Sequence, residues 1–272
     1  MTLAQALVRN GTVLVESGDV LAGVPGAVLG VVEVGGSLSN PAVLLALDPQ
    51  PPNPFGQVVF SRGQPWLASG QPIAASGVPP GTVCWRVDGL GANERGTSLA
   101  LAALDPSETM LLSFTFPPSG PPVSALALRT GQVLADGTVL ESFELYPFGI
   151  PVNERGEWLL AVRASDGTER LMASGRTVLR TGTPSPIPGR SLVDLSPWHD
   201  LNDLGGHAAL VRLSGDPATD TLLLKNSAKL AQEGDVLPAL APAALVELGD
   251  RVCCTNAGPV FWRARTDGPA GS

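Results

Sequence analysis

Val152-Asn153-Glu154-Arg155-Gly156-Glu157-Trp158-Leu159-Leu160-Ala161-Val162 reads as a strand end, a tight Asn-x-x-Gly turn and a second, apolar strand. An Asn side chain can cap such a turn through its own backbone, and Gly supplies the positive φ that the chain reversal needs. The phrase returns as Asn93-Glu94-Arg95-Gly96 before Leu99-Ala100-Leu101, and as Asn202-Asp203-Leu204-Gly205 before Ala208-Ala209-Leu210-Val211. Weaker copies stand at Asn40 and at Asn256-Ala257-Gly258. The five Asn positions are 53, 60, 49 and 54 residues apart.

A second phrase alternates with the first. Residues 4–18 read as strand, Asn10-Gly11 turn, strand and Gly18, and Asn-Gly between apolar runs is a strong hairpin signal. Related marks fall at Arg62-Gly63 and Gly70, Thr130-Gly131 and Gly137, Ser174-Gly175 and Gly182, and Asn226-Ser227 and Gly234. Each period then holds four strands, two around the Asn-x-x-Gly turn and two in the later hairpin. A four-stranded unit at this period is the mark of a β-propeller blade. The expected fold is all-β: one domain, a five-bladed propeller of four-stranded blades. The blades are 30–70, 83–137, 140–182, 191–234, and 244–266 together with 4–18. The N-terminal strands are the last two of a unit and the C-terminal strands the first two. Sharing one blade would close the ring and hide sheet edges that invite aggregation. Asp105 to Val123 interrupts the second period and is expected to add a strand, Met110 to Phe116, and a proline-rich loop, Pro117 to Pro122.

Composition agrees with many short strands and tight turns. The 272 residues include 32 Gly and 26 Pro, 44% are hydrophobic and only 15% charged. Net charge is −8, with no cluster of Lys and Arg, which argues against a nucleic-acid partner. No apolar run is long enough for a membrane span, and no basic segment followed by an apolar block marks a signal peptide. Cys84, Cys253 and Cys254 form neither a disulfide framework nor a zinc-like spacing, and are expected to act as small hydrophobes.

The repeated turn and the later hairpin, ending in Glu233-Gly234-Asp235 or its relatives, resemble the bacterial tandem-repeat proteins named for an NxxGxxAF motif. The likeness covers nearly the whole chain, with the Ala-Phe of the motif replaced by Leu99-Ala100, Leu159-Leu160 and Ala208-Ala209. The resemblance implies a propeller-like, exported protein of no established activity, and carries over no catalytic residue.

Candidate site residues come from the first strand of each unit, which holds an acid within a mostly apolar strand: Glu33, Asp88, Glu144, Asp194 and Glu247. On an innermost strand, five carboxylates would approach a common axis and raise one another's pKa unless a cation offsets them. Oxygen donors suit a hard cation such as calcium. The other reading makes each acid a staple that accepts backbone N–H groups of a neighbouring blade. The register is uneven, because the acids precede their Asn by seven, five, nine, eight and nine residues. Trp198-His199-Asp200 adds an aromatic, an imidazole and a carboxylate, though adjacent strand residues point to opposite faces. The tryptophans Trp66, Trp85, Trp158, Trp198 and Trp262 occupy unequal positions, which favours core packing over a repeated sugar site. The expected function is a non-catalytic binding or scaffold module, a monomer, with a protein or carbohydrate ligand or a cation at the axial channel. The alternative is a glycoside hydrolase using two axial carboxylates, by fold-level analogy.

Overall fold

The computed structural model describes residues 6–9, 12–36, 41–51, 55–117, 122–144, 149–239 and 241–268. The Asn10-Gly11 turn, Asn40 and residues 118–121 of the proline-rich loop lie outside them. The chain divides into two compact units, 1–133 with 145–156, and 134–144 with 157–272.

The first unit holds β1 (Ala6–Arg9), β2 (Thr12–Glu16), β3 (Val28–Gly36), β4 (Pro41–Leu47), β5 (Gln57–Ser61), β6 (Gln64–Ala68), β7 (Arg86–Ala92), β8 (Thr97–Ala103), β9 (Thr109–Thr115) and β10 (Val123–Arg129). They form a β1-β2 pair and two four-stranded antiparallel sheets, β3 to β6 and β7 to β10. The second unit holds β11 (Leu140–Phe143), β12 (Leu159–Ala164), β13 (Glu169–Ala173), β14 (Arg176–Arg180), β15 (Leu192–Leu201), β16 (His207–Leu213), β17 (Thr221–Lys225), β18 (Ala228–Gln232), β19 (Leu245–Cys254) and β20 (Val260–Thr266). These make two four-stranded sheets, β11 to β14 and β15 to β18, and a β19-β20 pair. Among the described residues the only helical element is a 3₁₀ turn at Pro217–Thr219, and no helix is long and apolar enough to cross a membrane.

Why the middle strands carry unbroken apolar runs follows from the packing. Along β4, Ala42 and Leu44 join one core cluster, with Val59, Leu90, Ala100 and Leu112. Val43, Leu45 and Leu47 join another, with Val15, Val58 and Phe60. Alternate residues point to opposite faces, so this sheet is buried on both sides and every position of the run must be apolar. In the second unit Leu210, Leu223, Leu245 and Leu248 form a comparable cluster, against which Trp198 and Trp262 pack. Trp66 lies against Phe114 at 3.8 Å between ring centroids, and Trp85 against Phe55 at 4.5 Å.

The repeat is also written in the register. Each first strand carries an extra residue near its start, at Leu29, Asp88, Glu141, Val193 and Val246, and β3, β15 and β19 carry further extra residues later on. Each later hairpin carries one at Leu14, Trp66, Ala127, Val178 and Leu230. These last are 52, 61, 51 and 52 residues apart, so the five units share one backbone plan. A β-bulge of this kind strengthens the local twist.

The second repeat departs from the sequence expectation. Met110 to Phe114 is not an added strand: β9 pairs directly with β8 across the short Asp105-to-Glu108 turn, and β10 is the fourth strand. Asp105 Oδ1 holds that turn by accepting from the Ser107 and Glu108 amides at 2.7 and 2.8 Å. Thr130-Gly131 follows the fourth strand instead of turning a hairpin, which makes Gly131 the counterpart of Gly70, Gly182 and Gly234. The extra length of this repeat falls between β9 and β10. A turn of a few residues closes at less entropic cost than a long insertion, and that local closure decides the pairing.

Candidate functional site

The repeated turn locates the strands that carry the candidate acids. Gly96, Gly156, Gly205 and Gly258 have φ of 99°, 79°, 81° and 100°. Asn93 Oδ1 accepts the Thr97 amide at 2.9 Å, and Asn202 Oδ1 accepts those of Leu204 and Gly206 at 3.0 and 2.8 Å. The amide end of the same side chains reaches the next copy of the turn: Asn93 Nδ2 donates to Asn153 O at 2.6 Å, and Asn202 Nδ2 to Thr255 O at 3.0 Å. The residue after each Asn repeats the link. The Glu94 amide donates to Glu154 Oε1 at 2.9 Å and the Asp203 amide to Asn256 Oδ1 at 2.7 Å. The Asn is thus both a turn cap and a tie between consecutive turns.

The five first-strand acids are not structurally equivalent. Counted from the first-strand bulge of its own unit, Glu33 stands four residues on, Asp88 at the bulge, Glu144 three on, and Asp194 and Glu247 one on. Each has a different neighbour. Glu33 Oε1 accepts the Leu90 amide at 3.4 Å, and burial pushes its carboxyl above the usual range. Asp88 pairs with Arg86, whose Nη2 lies 3.1 Å from Oδ2. Glu247 pairs with Arg265 at 3.2 Å, both largely exposed.

In the second unit two of the candidates meet. Arg163 Nε lies 3.3 Å from Glu144 and its Nη2 2.9 Å from Glu169. Glu169 Oε2 accepts the Leu195 amide at 3.0 Å, and its carboxyl faces that of Asp194. Desolvation and the facing Asp194 raise the Glu169 pKa, although the Leu195 amide opposes the shift. The line Glu144–Arg163–Glu169–Asp194 therefore ties the β11-to-β14 sheet to β15.

Arg163 and Glu169 were not among the residues singled out from the sequence, yet a signal existed. The third strands open on Gln57, Thr109, Glu169 and Thr221, polar each time and 52, 60 and 52 residues apart. Gln57 makes the same kind of tie, accepting the Val87 amide at 3.0 Å and donating to Val87 O at 3.3 Å.

The Trp198, His199 and Asp200 side chains do not converge. Trp198 sits in the stretch where β15 carries two extra residues against β16, and packs on the apolar cluster. His199 is 9% exposed, with the Leu159 and Ser196 carbonyls facing its ring. Burial lowers its pKa to about 4, and the nearby His207 adds to the shift. Asp200 points the other way, its Oδ2 accepting the Cys254 amide at 2.7 Å. Alternation along the strand separates imidazole from carboxylate. Among the described residues, no three His, Cys, Asp or Glu side chains gather as metal ligands.

No protein-family model matches the sequence, and no curated protein matches it significantly. Among solved structures, the chain is similar to the WD40 β-propeller domain of Doa1, at 13% identity and a TM-score of 0.31, over 91% of this chain and 63% of that one. The chain thus spans 63% of the length of that solved chain, and a likeness at this score is too slight to bear on function.

Proposed function

We propose that this all-β chain is a non-catalytic binding or scaffold module whose five repeats close into a propeller, with the N- and C-terminal strand pairs sharing one blade. The single observation that carries the non-catalytic reading is the occupation of the first-strand acids. Each one faces an arginine, a backbone amide or another carboxylate that itself holds an amide. A glycosidase needs two carboxyl groups about 5–10 Å apart across an open cleft, one free to protonate and one to attack or to activate water. Acids held in staples lack that freedom. The repeat reading is supported by the bulge plan that the five repeats share.

Thermal melting of the wild type and of Asp194→Asn, with calcium, with chelator and with a panel of sugars, tests the acids' role. The expected result is no shift with calcium or chelator, and a mutant that melts near or above the wild type, because the carboxyl facing Glu169 is gone. A ligand that binds only the folded state must raise the melting temperature. A calcium-dependent rise lost in Asp194→Asn would replace the staple with a cation site. Turnover of aryl glycosides, abolished by Glu169→Gln, would replace the scaffold with an enzyme.

A further inference from the structure

Two loops that lead into successive sheets close in the same way but differ in length. Ahead of β7 the Ile73 amide donates to Thr82 O at 2.8 Å, and ahead of β11 the Leu134 amide donates to Thr138 O at 2.7 Å. The first closure spans nine residues and the second four, so the first loop carries five residues more. The longer loop runs along the outer edge of β10, the last strand of its sheet. The Ser76 amide donates to Ser124 O at 2.9 Å and the Leu126 amide to Ser76 O at 2.8 Å, a parallel bridge between Ser76 and Ala125. Left bare, those edge groups would be a template for another strand. The covering stretch is Ala74-Ala75-Ser76-Gly77, all small. A Cβ on Gly77 would lie 3.3 Å from Leu126 Cβ, so the segment sits close.

The last strand of the next sheet, β14, has the same design without the cover. Thr177 pairs with Met172 and the extra residue Val178 follows it, as Leu126 pairs with Leu112 and Ala127 follows. Thr177 is therefore the counterpart of Leu126. Positive φ at both Ser174 and Gly175, 46° and 85°, makes the β13-β14 turn type I′, closed by the pair Ala173 and Arg176. Bonding direction alternates along a strand, so Thr177 turns its N–H and C=O away from β13. That is the side on which Leu126 holds Ser76. Here the shorter loop leaves a cavity of about 470 Å³, lined by Leu134, Ala135, Asp136, Gly175 and Thr177 among others. Leu126 is half-buried, whereas Thr177 is exposed, and a Cβ built on Gly175 would meet nothing within 4 Å.

The rest of the wall is charge-balanced. Arg170 and Arg180 also line the cavity, and Asp136 and Asp166 neutralise both, at 2.7 Å and 3.1 Å from Arg170 and 2.6 Å from Asp166 to Arg180. Such a wall does not select an ion. The groups it leaves to be satisfied belong to the backbone edge of β14.

We propose that this cavity takes an extended, uncharged peptide of a partner protein, added to β14 as a parallel fifth strand with small side chains where it passes Thr177. Strand addition to an open sheet edge draws affinity from main-chain hydrogen bonds and specificity from the side-chain pockets beside them. The chain's own Ala74-to-Gly77 segment on β10 sets the chemistry of the occupant. The inference goes beyond the scaffold reading, and neither ring closure nor the stapled acids enter it.

The test is fluorescence anisotropy of a dye-labelled peptide with the sequence of residues 72–80, titrated with the whole chain. Saturable binding is expected. N-methylation of the peptide's serine removes the donor that Ser76 uses on β10, without touching the protein, and should weaken binding about tenfold or more. Thr177→Pro removes the edge N–H at a position where an edge strand tolerates proline, and should weaken binding to the same degree. Thr177→Val keeps the N–H and should leave the affinity unchanged. Copying Ala75 to Pro79 between Ala135 and Asp136 should fill the cavity from within and abolish binding, with a melting temperature at or above that of the wild type. No saturable binding overturns the proposal, as does binding indifferent to N-methylation or kept by a stable insertion variant. A dimer of the chain alone, turned to monomer by Thr177→Pro in sedimentation, would put a second copy on this edge and overturn the partner peptide.

Discussion

Acidification should destabilise this protein through His199, and the effect can be isolated because the chain has only two histidines. The imidazole is 9% exposed and its pKa falls from 6.5 to about 4, with burial as the main cause. In the unfolded chain the ring takes up its proton near pH 6.5. In the folded chain it resists until about pH 4. Between those values the unfolded state binds more protons, so stability falls as pH drops. Its contribution is fully present above pH 6.5 and is lost across this window. One pKa unit corresponds to about 1.36 kcal/mol, and the full shift to about 3 kcal/mol, a large part of a typical stability of 5–15 kcal/mol.

Other buried groups act in the opposite direction. Burial raises the carboxyls of Glu33, Glu169 and Asp200, so for them the folded state binds its proton first and gains stability on acidification. The assay must therefore compare variants. Urea denaturation from pH 7 to pH 4 on wild type and His199→Leu should show the wild type losing about 3 kcal/mol more than the variant. His207→Gln should keep most of the His199 effect. Proton NMR of the two imidazoles reads the site directly, with His199 still neutral at pH 5.5. A His199 resonance titrating near 6.5, or parallel pH profiles for wild type and His199→Leu, would refute the buried neutral imidazole.

Three further outcomes are expected. Asn93→Ala removes the acceptor of the Thr97 amide and a donor to the Asn153 carbonyl, which keeps the Gly156 amide, at a position 3% exposed, and should cost about 2 kcal/mol in urea denaturation, since an abandoned buried group costs about 1–3 kcal/mol; a loss below about 0.5 kcal/mol would mean the turns are not tied through this side chain. Glu33→Gln keeps an acceptor for the Leu90 amide and removes a carboxylate that burial disfavours, so the variant should gain relative stability as pH rises above 4.5, and identical pH profiles would contradict the shift. Asp136→Asn should remove an acid-labile contribution: the Arg170 contact holds the Asp136 pKa well below 3.8, so the wild type loses that stability as pH falls below this value and the variant, already without it, shows a flatter acid limb. An acid limb as steep in the variant as in the wild type would contradict it.

The strands, the turns and the period were legible in the primary structure because they rest on local physics. Asn-x-x-Gly needs only a side chain that caps its own turn and a residue that accepts positive φ. Apolar runs such as Ala42 to Leu45 already state that both faces of the strand are covered. In the second repeat the turn marks at Asp105 and at Thr130-Gly131 look alike in sequence, and only pairing of β9 with β8 shows which one closes a hairpin.

The candidate site was less legible, and for a definite reason. The sequence by itself determined that each unit carries an acid in or beside its first strand, that the period is close to fifty residues, and that tryptophans sit at unequal places. Tertiary structure alone decided which of those acids are equivalent, because side-chain direction has a period of two and a single bulged residue reverses it. Bulges at Asp88, Glu141 and Val193 set the acids at different heights, and the bulge at Val178 brings Arg180 to the same face as Arg170. Partners 25 to 60 residues apart, such as Glu169 with Leu195 and Asn93 with Asn153, meet only when neighbouring sheets stack. That stacking is driven by burial of apolar faces, which is proportional to area and indifferent to which polar groups it brings together.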